Sequence, residues 1–265
     1  MTQIMGSEKK GLIFEILSAK ISDKPEEKKY VIYTLQIRYI STTDDLNPSI
    51  IDRRYTHFLD LYTSLRKEHP NLMNNVTFPK KVLTGNFDNE LISARSTGFE
   101  SLLKFISNES RLRTSYALLS FLQGAELEQA KEFYRNKEPA LAYPILENIF
   151  TLLNKVYTDR SPAVLLTLIR LVACAEATPT NPDLLKWADL AIHRYNGVSD
   201  SDLLELYIPL LQTCTKLWSQ NGRDSSDIQN RLASLQKQGM KMNETASIMD
   251  VVDSVEKNIF GLSAS

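Results

Sequence analysis

The chain has 265 residues, enough for one large domain or two ordinary ones, and 43% of them are apolar, so real cores can be buried. Lys and Arg number 31 against 32 Asp and Glu, a formal net charge of −1, which argues against a dedicated nucleic-acid binder. Two cysteines, Cys174 and Cys214, are too few for a disulfide framework and point to a reducing compartment. Residues 1–10 hold no apolar run of the kind that opens a secretory leader. The most apolar stretch, residues 163–175, is interrupted by Thr167 and Arg170 and is too short to cross a bilayer. The expectation is a soluble, cytoplasmic protein with no cofactor.

In chain order, residues 11–20 (GLIFEILSAK) and 30–40 (YVIYTLQIRYI) carry the β-branched and aromatic content of strands. A polar turn, residues 22–29, separates them. A third short run at 50–54 leads into Tyr55–Glu68, where Tyr55, Phe58, Tyr62 and Leu65 recur at helical spacing until Pro70. The loop that follows, 71–89, holds Phe78-Pro79-Lys80-Lys81-Val82-Leu83. A second helix is expected over 90–107, with Phe99, Leu102, Leu103 and Ile106 as its apolar stripe, and a third apolar patch at 116–122. Three strands and then helices describe an α+β unit.

Past Gly124 the texture becomes helix after helix, and the charge turns over. Residues 1–125 hold 17 basic and 14 acidic side chains, and 126–265 hold 14 and 18. Ser161-Pro162, Asn181-Pro182-Asp183, Ser199-Asp200-Ser201-Asp202 and Ser225-Ser226-Asp227 set capping oxygens before apolar periodicity. Helix starts are thus expected near 140, 162, 182, 202 and 226, an antiparallel array of the solenoid kind. Residues 163–175 are apolar on nearly every side and should be central, with Arg170 held by a carboxylate or carbonyl. The expected domains are 8–123 and 126–258.

Four features of the first half converge on one chemistry. Arg53-Arg54-Tyr55 sits where the third strand hands over to a helix, and Lys80-Lys81 follows Pro79 in an apolar-flanked loop. Arg95 shares a helix face with Phe99, Leu102 and Ile106, which suits the rim of a pocket floored by the core, and Gly98 removes bulk beside it. Arginine offers planar donors for one phosphate and lysine a point charge for a second. A tyrosine ring offers a flat face to a sugar-like ring. Of the two arginines, Arg53 is expected at the surface, solvated or in a salt bridge.

The order of these elements is similar to the PX (phox homology) domain. The matching motifs are R-R-Y-T-x-F from Arg53 to Phe58, F-P-K-K-V, and R-x-x-x-F-E-x-L-L from Arg95 to Leu103. The resemblance implies a three-stranded antiparallel sheet packed on helices, and recognition of phosphatidylinositol 3-phosphate in membranes. It assigns Arg54 to the 3-phosphate, Tyr55 to the inositol ring, Lys81 (or Lys80, one register away) to the 1-phosphate and Arg95 to the 4- and 5-hydroxyls. Phe78, Lys80, Val82 and Leu83 are candidate membrane contacts, with the core as the alternative place for Phe78. Where the family's loop usually has P-x-x-P, this sequence has Pro79 alone.

A PX domain followed directly by about 140 residues of helices resembles the sorting nexins whose second domain is tetratricopeptide-like, although no tetratricopeptide consensus is found residue by residue. That likeness implies a non-enzymatic adaptor on the early endosome membrane, with a protein partner or cargo tail on the helical domain. No H-x-K-x-x-x-x-D, Walker lysine loop or kinase signature supports an enzyme instead. The helices are too short for a membrane-bending coiled coil. The alternative is a protein-binding scaffold whose PX domain has weak or broad lipid affinity. His57, His69 and His193 lack metal-ligand spacing. Trp187, Tyr195, Tyr207 and Trp218 read as core.

Overall fold

A computed structural model describes residues 11–22, 28–40, 47–178, 183–196, 198, 201–237 and 247–261. It divides into two compact units, Met1–Gly124 and Ala125–Ser265.

The first unit opens with an antiparallel meander, β1 (Gly11–Ile21), β2 (Val31–Ile40) and β3 (Ser49–Arg54), in that spatial order. Val31, Tyr33, Leu35 and Ile37 form the buried face of β2, as the period of two requires. The same alternation runs through β3 and corrects one expectation. Ser49, Ile51 and Arg53 point inward, while Ile50, Asp52 and Arg54 point out. Arg53 is therefore 2% exposed rather than a surface side chain. Its guanidinium donates to the carbonyls of Phe121 (2.6 Å) and Asp52 (2.7 Å), which makes the buried charge tolerable.

Helices α1 (Tyr55–Glu68) and α3 (Asn89–Asn108) cover the sheet's inner face. Phe58 of α1 and Phe99 of α3 lie parallel with ring centroids 3.8 Å apart, and Tyr33 meets Phe99 edge-on at 5.0 Å. Such pairs add about 0.5–1.5 kcal/mol each beyond their burial. A second tie fixes α3. The β1–β2 register shifts between Ile16 and Ser18, and the Ile16 N–H donates to the Glu100 carboxylate at 2.7 Å. Between the two helices Pro70 begins a single turn, α2 (Pro70–Met73), and α4 (Ser110–Arg113) follows α3. The apolar patch at 116–122 opens a longer helix, α5 (Tyr116–Arg135), that runs on through Gly124.

The second unit is helical: α6 (Pro139–Val156), α7 (Pro162–Glu176), α8 (Leu184–Tyr195), α9 (Ser201–Leu204), α10 (Tyr207–Gln220), α11 (Ser226–Lys237) and α12 (Ile248–Phe260). The starts expected near 140, 162 and 226 fall at 139, 162 and 226. Of the expected caps, 181–182 and 199–200 lie outside the described residues. The start at 202 yields only the single turn of α9, and the long helix begins five residues later at Tyr207. Every residue of α7 from Ala163 to Ala175 is buried, which makes it the central helix of this unit.

The helix starts expected from the spacing do not include α12. Ser247 caps it by accepting the Asp250 N–H, Gly261 closes it at φ 63°, and Met249, Val252 and Val255 bury one face. Its acidic residues answer the question of Arg170, which is fully buried in α7. Arg170 donates to Asp253 Oδ1 and Glu256 Oε2, both at 2.8 Å, and Lys131 adds a bond to Glu256 at 2.9 Å. Cys174 and Cys214 are free and buried, and burial pushes both thiols up to about 12. Among the described residues no helix is long and apolar enough to cross a membrane.

Candidate functional site

The site is assembled where β3 meets α1, where the lysine loop passes, and where α3 begins. Arg54 occupies the N-cap of α1 and is exposed, because strand alternation turns it away from the core. Its backbone N–H donates to His57 Nδ1 at 3.3 Å, and its guanidinium carbon lies 3.4 Å from the ring centroid of Tyr30. No acidic residue sits in the first turn of α1, so an anion there would meet the helix's positive end unopposed.

Tyr55, the next residue, turns inward and is half-buried. Its hydroxyl donates to the Pro79 carbonyl at 2.8 Å, and Tyr62, two turns on along the same face, donates to the Val76 carbonyl at 3.2 Å. Two α1 tyrosines thus hold the lysine loop on either side of Phe78. Phe78 itself turns inward: its ring stacks on Tyr62 at 4.8 Å and lies 5.7 Å from Tyr55. Leu83, by contrast, is 98% exposed. The exposed large apolar side chains of the loop are therefore Leu83 and Phe87, with Val82 half-buried, rather than Phe78.

Pro79 is pinned from the opposite side by α3. A Cβ on Gly98 would stand 2.5 Å from Pro79 Cγ, so the bulk that Gly98 lacks is the space the proline fills. Arg95, one turn earlier, is 2% exposed. Its guanidinium carbon lies 4.3 Å from the Tyr55 ring centroid, and one terminal nitrogen donates to Asn86 Oδ1 at 3.0 Å. Its Nε has no hydrogen-bond acceptor. Burial holds the Tyr55 phenol above its ordinary range, and the charge of Arg95 pulls it part of the way back.

A cavity of about 370 Å³ opens between the loop and α3, lined by Phe78, Pro79, Lys80, Val82, Leu91 and Arg95 among others. Among the described residues no carboxylate lines it. The lysine that reaches it is Lys80; Lys81 is exposed and lies outside the lining, as do Arg54 and Tyr55. Sequence reasoning missed two residues here. Asn86 bridges the loop to Arg95, since its Nδ2 donates to the Val82 carbonyl at 3.3 Å. Tyr30 supports Arg54. An asparagine in a polar loop carries no periodic signal, and Tyr30 reads as one more strand aromatic.

A three-stranded meander backed by helices, with arginines at the strand-to-helix turn and on α3, defines a PX domain, and the PX domain family matches residues 41–125. PX domains as a class bind phosphoinositides. Human sorting nexin-21 is 28% identical over 242 residues, covering 91% of this chain and 64% of that protein. Bovine sorting nexin-20 is 30% identical over 231 residues, covering 83% of this chain and 68% of that protein. The chain belongs to the sorting nexin family, although it spans less than two thirds of sorting nexin-21. Among solved structures, the mouse SNX19 PX domain with bound sulphate ion matches 42% of this chain and 96% of its own, with 23% identity and a TM-score of 0.35.

Proposed function

We propose that this protein is a phosphoinositide-binding adaptor that works on the cytoplasmic face of early endosomes in protein trafficking. In this reading residues 8–123 recognise phosphatidylinositol 3-phosphate, and residues 126–258 form a tetratricopeptide-like module for a protein partner or cargo tail. The observation that carries the membrane half is Arg95, nearly fully buried, paired with no carboxylate among the described residues, and lining with Lys80 a cavity that none of the described carboxylates enters. A buried cation without a counter-charge is costly, and the ring hydroxyls of an anionic headgroup, accepting from it, offset that cost. Arg54 takes the 3-phosphate, Lys80 or Lys81 the 1-phosphate, and Arg95 the ring hydroxyls.

Three charge-assisted contacts at about 1.5–3 kcal/mol each, less an association cost of several kcal/mol, give micromolar affinity or weaker for the headgroup alone. Leu83, Val82 and Lys80 at the membrane supply the remainder, with about 1 kcal/mol from each basic residue near an anionic leaflet. A broad or weak lipid preference is the second reading. It is favoured by the Arg95 guanidinium over Tyr55, which covers one face of the ring meant for inositol.

Vesicle co-sedimentation across a phosphoinositide panel tests this, with Arg54→Ala beside the wild-type chain. Pelleting selective for the 3-phosphorylated lipid and lost in the variant is the expected result. Pelleting indifferent to Arg54 would move the function to the helical unit.

A further inference from the structure

Two large apolar side chains of the lysine loop stand out in solvent, Leu83 at 98% and Phe87 at 43% exposure. Each is the neighbour of a residue tied by the Asn86 amide: Val82 precedes Leu83, and Asn86 itself precedes Phe87. The Asn86 Nδ2 donates to the Val82 carbonyl at 3.3 Å and so staples the turn from which both side chains project. The Asp88 N–H closes the far end of that turn on the Gly85 carbonyl at 3.0 Å. The other end of the same amide, Oδ1, accepts from Arg95 at 3.0 Å. A guanidinium only donates and a carbonyl only accepts, so the two partners fix which way the amide faces. Val82 and Arg95 line the cavity, whereas Asn86 lies outside the lining and touches both.

We infer that Asn86 is a positioning residue that couples the headgroup pocket to the apolar tip of the loop, so that an anionic lipid headgroup at Arg95 and the bilayer at Leu83 and Phe87 are recognised as one event. This rests on the function proposed above and deepens it. An Arg95 held still by a headgroup holds Asn86, and Asn86 holds the turn with its apolar side chains outward. A turn seated in the bilayer steadies Arg95 in return, because coupling is reciprocal. A headgroup free in water gains the pocket alone, and a bare bilayer gains the tip alone. The residue type matters at this place. The side chain must accept from a cation and donate to a carbonyl, which an amide does and a carboxylate does not. Being neutral, the amide steadies the guanidinium without cancelling its charge.

The test uses the full chain with Asn86→Ala, Asn86→Asp, Leu83→Ser, the double variant of Asn86→Ala with Leu83→Ser, and Arg95→Gln. Calorimetry measures binding to soluble inositol 1,3-bisphosphate, which probes the pocket. Phosphatidylcholine vesicles doped with phosphatidylinositol 3-phosphate probe pocket and tip together, and thermal melts accompany each variant. Leu83→Ser should leave the soluble headgroup bound as in wild type and weaken vesicle binding about tenfold. In the Asn86→Ala background the same change should cost about threefold or less, the shortfall being the coupling. Asn86→Ala alone should weaken the soluble headgroup about three- to tenfold at a nearly unchanged melting temperature. Asn86→Asp should weaken it further without lowering the melting temperature, because a carboxylate neutralises Arg95. Equal costs of Leu83→Ser in both backgrounds, or normal binding of both ligands by Asn86→Ala, would overturn the inference and leave the proposed function standing. Losses in both Asn86 variants that track a falling melting temperature would make the residue structural and overturn it too. Normal binding of both ligands by Arg95→Gln would overturn the proposed function and the inference with it.

Discussion

Arg95 of the first unit and Arg170 of the second are both almost completely buried, and the two are treated differently. Arg170 in α7 is fully buried and meets two carboxylates of α12, with Lys131 completing a four-charge cluster. Arg95 in α3 is 2% exposed and meets an amide oxygen, a tyrosine ring and a cavity. Both leave Nε without an acceptor, so hydrogen-bond count does not separate them. Charge does: one is neutralised within the fold, and the other meets no carboxylate among the described residues. Neutralised within the fold, Arg170 serves stability; in the function proposed above, the charge left on Arg95 serves the ligand.

Substitutions can break that contrast. The largest effect is expected for Arg170→Met, which leaves Asp253 and Glu256 facing Lys131 alone. Removing one member of a buried pair costs about 3–5 kcal/mol, read as a lower urea midpoint for the helical unit, with vesicle binding unchanged in the folded protein. Arg95→Gln should do the reverse. Stability should move by less than about 1 kcal/mol, while affinity for phosphatidylinositol 3-phosphate vesicles falls about tenfold or more. If Arg95→Gln unfolds the first unit as readily as Arg170→Met unfolds the second, the distinction fails. Gly98→Ala sharpens it with the smallest effect. The added methyl meets Pro79 and displaces the loop, while alanine's helix propensity returns up to about 1 kcal/mol. The melting point should stay nearly level as vesicle binding drops several-fold.

How much of this was legible depended on whether the signal was periodic. The strand register, the helices at 55, 139, 162 and 226, and the inward stripe of α3 follow from spacing and caps. The inward turn of Arg53 was equally available, because the alternation Ser49, Ile51, Arg53 is a period of two; a charged side chain simply reads as surface until its carbonyl partners are seen. The start of α12 was available as well, in Ser247 followed by Asp250 and apolar residues at helical spacing. The choice of Lys80 over Lys81 at the cavity was not. A loop has no period, and its path here is set by the Tyr55 and Tyr62 hydroxyls and by the fit of Pro79 on Gly98. The Asn86 bridge is likewise a tertiary contact with no local signature.

The ion cluster of the second unit has a consequence for the order of events during synthesis. Arg170 and its partners are 83 and 86 residues apart, and Lys131 waits 125 residues for Glu256. Until residue 256 has left the ribosome, Arg170 lacks both of its carboxylates and the part of α7 that α12 packs against stays uncovered, although α6 and α8 can already pack on the rest of it. The helices before it can form, but the unit cannot close cooperatively, because its last-made element supplies the counter-charges for its central one. Over that interval the nascent chain would present a sticky helix, and the PX unit upstream would be complete well before the helical unit is.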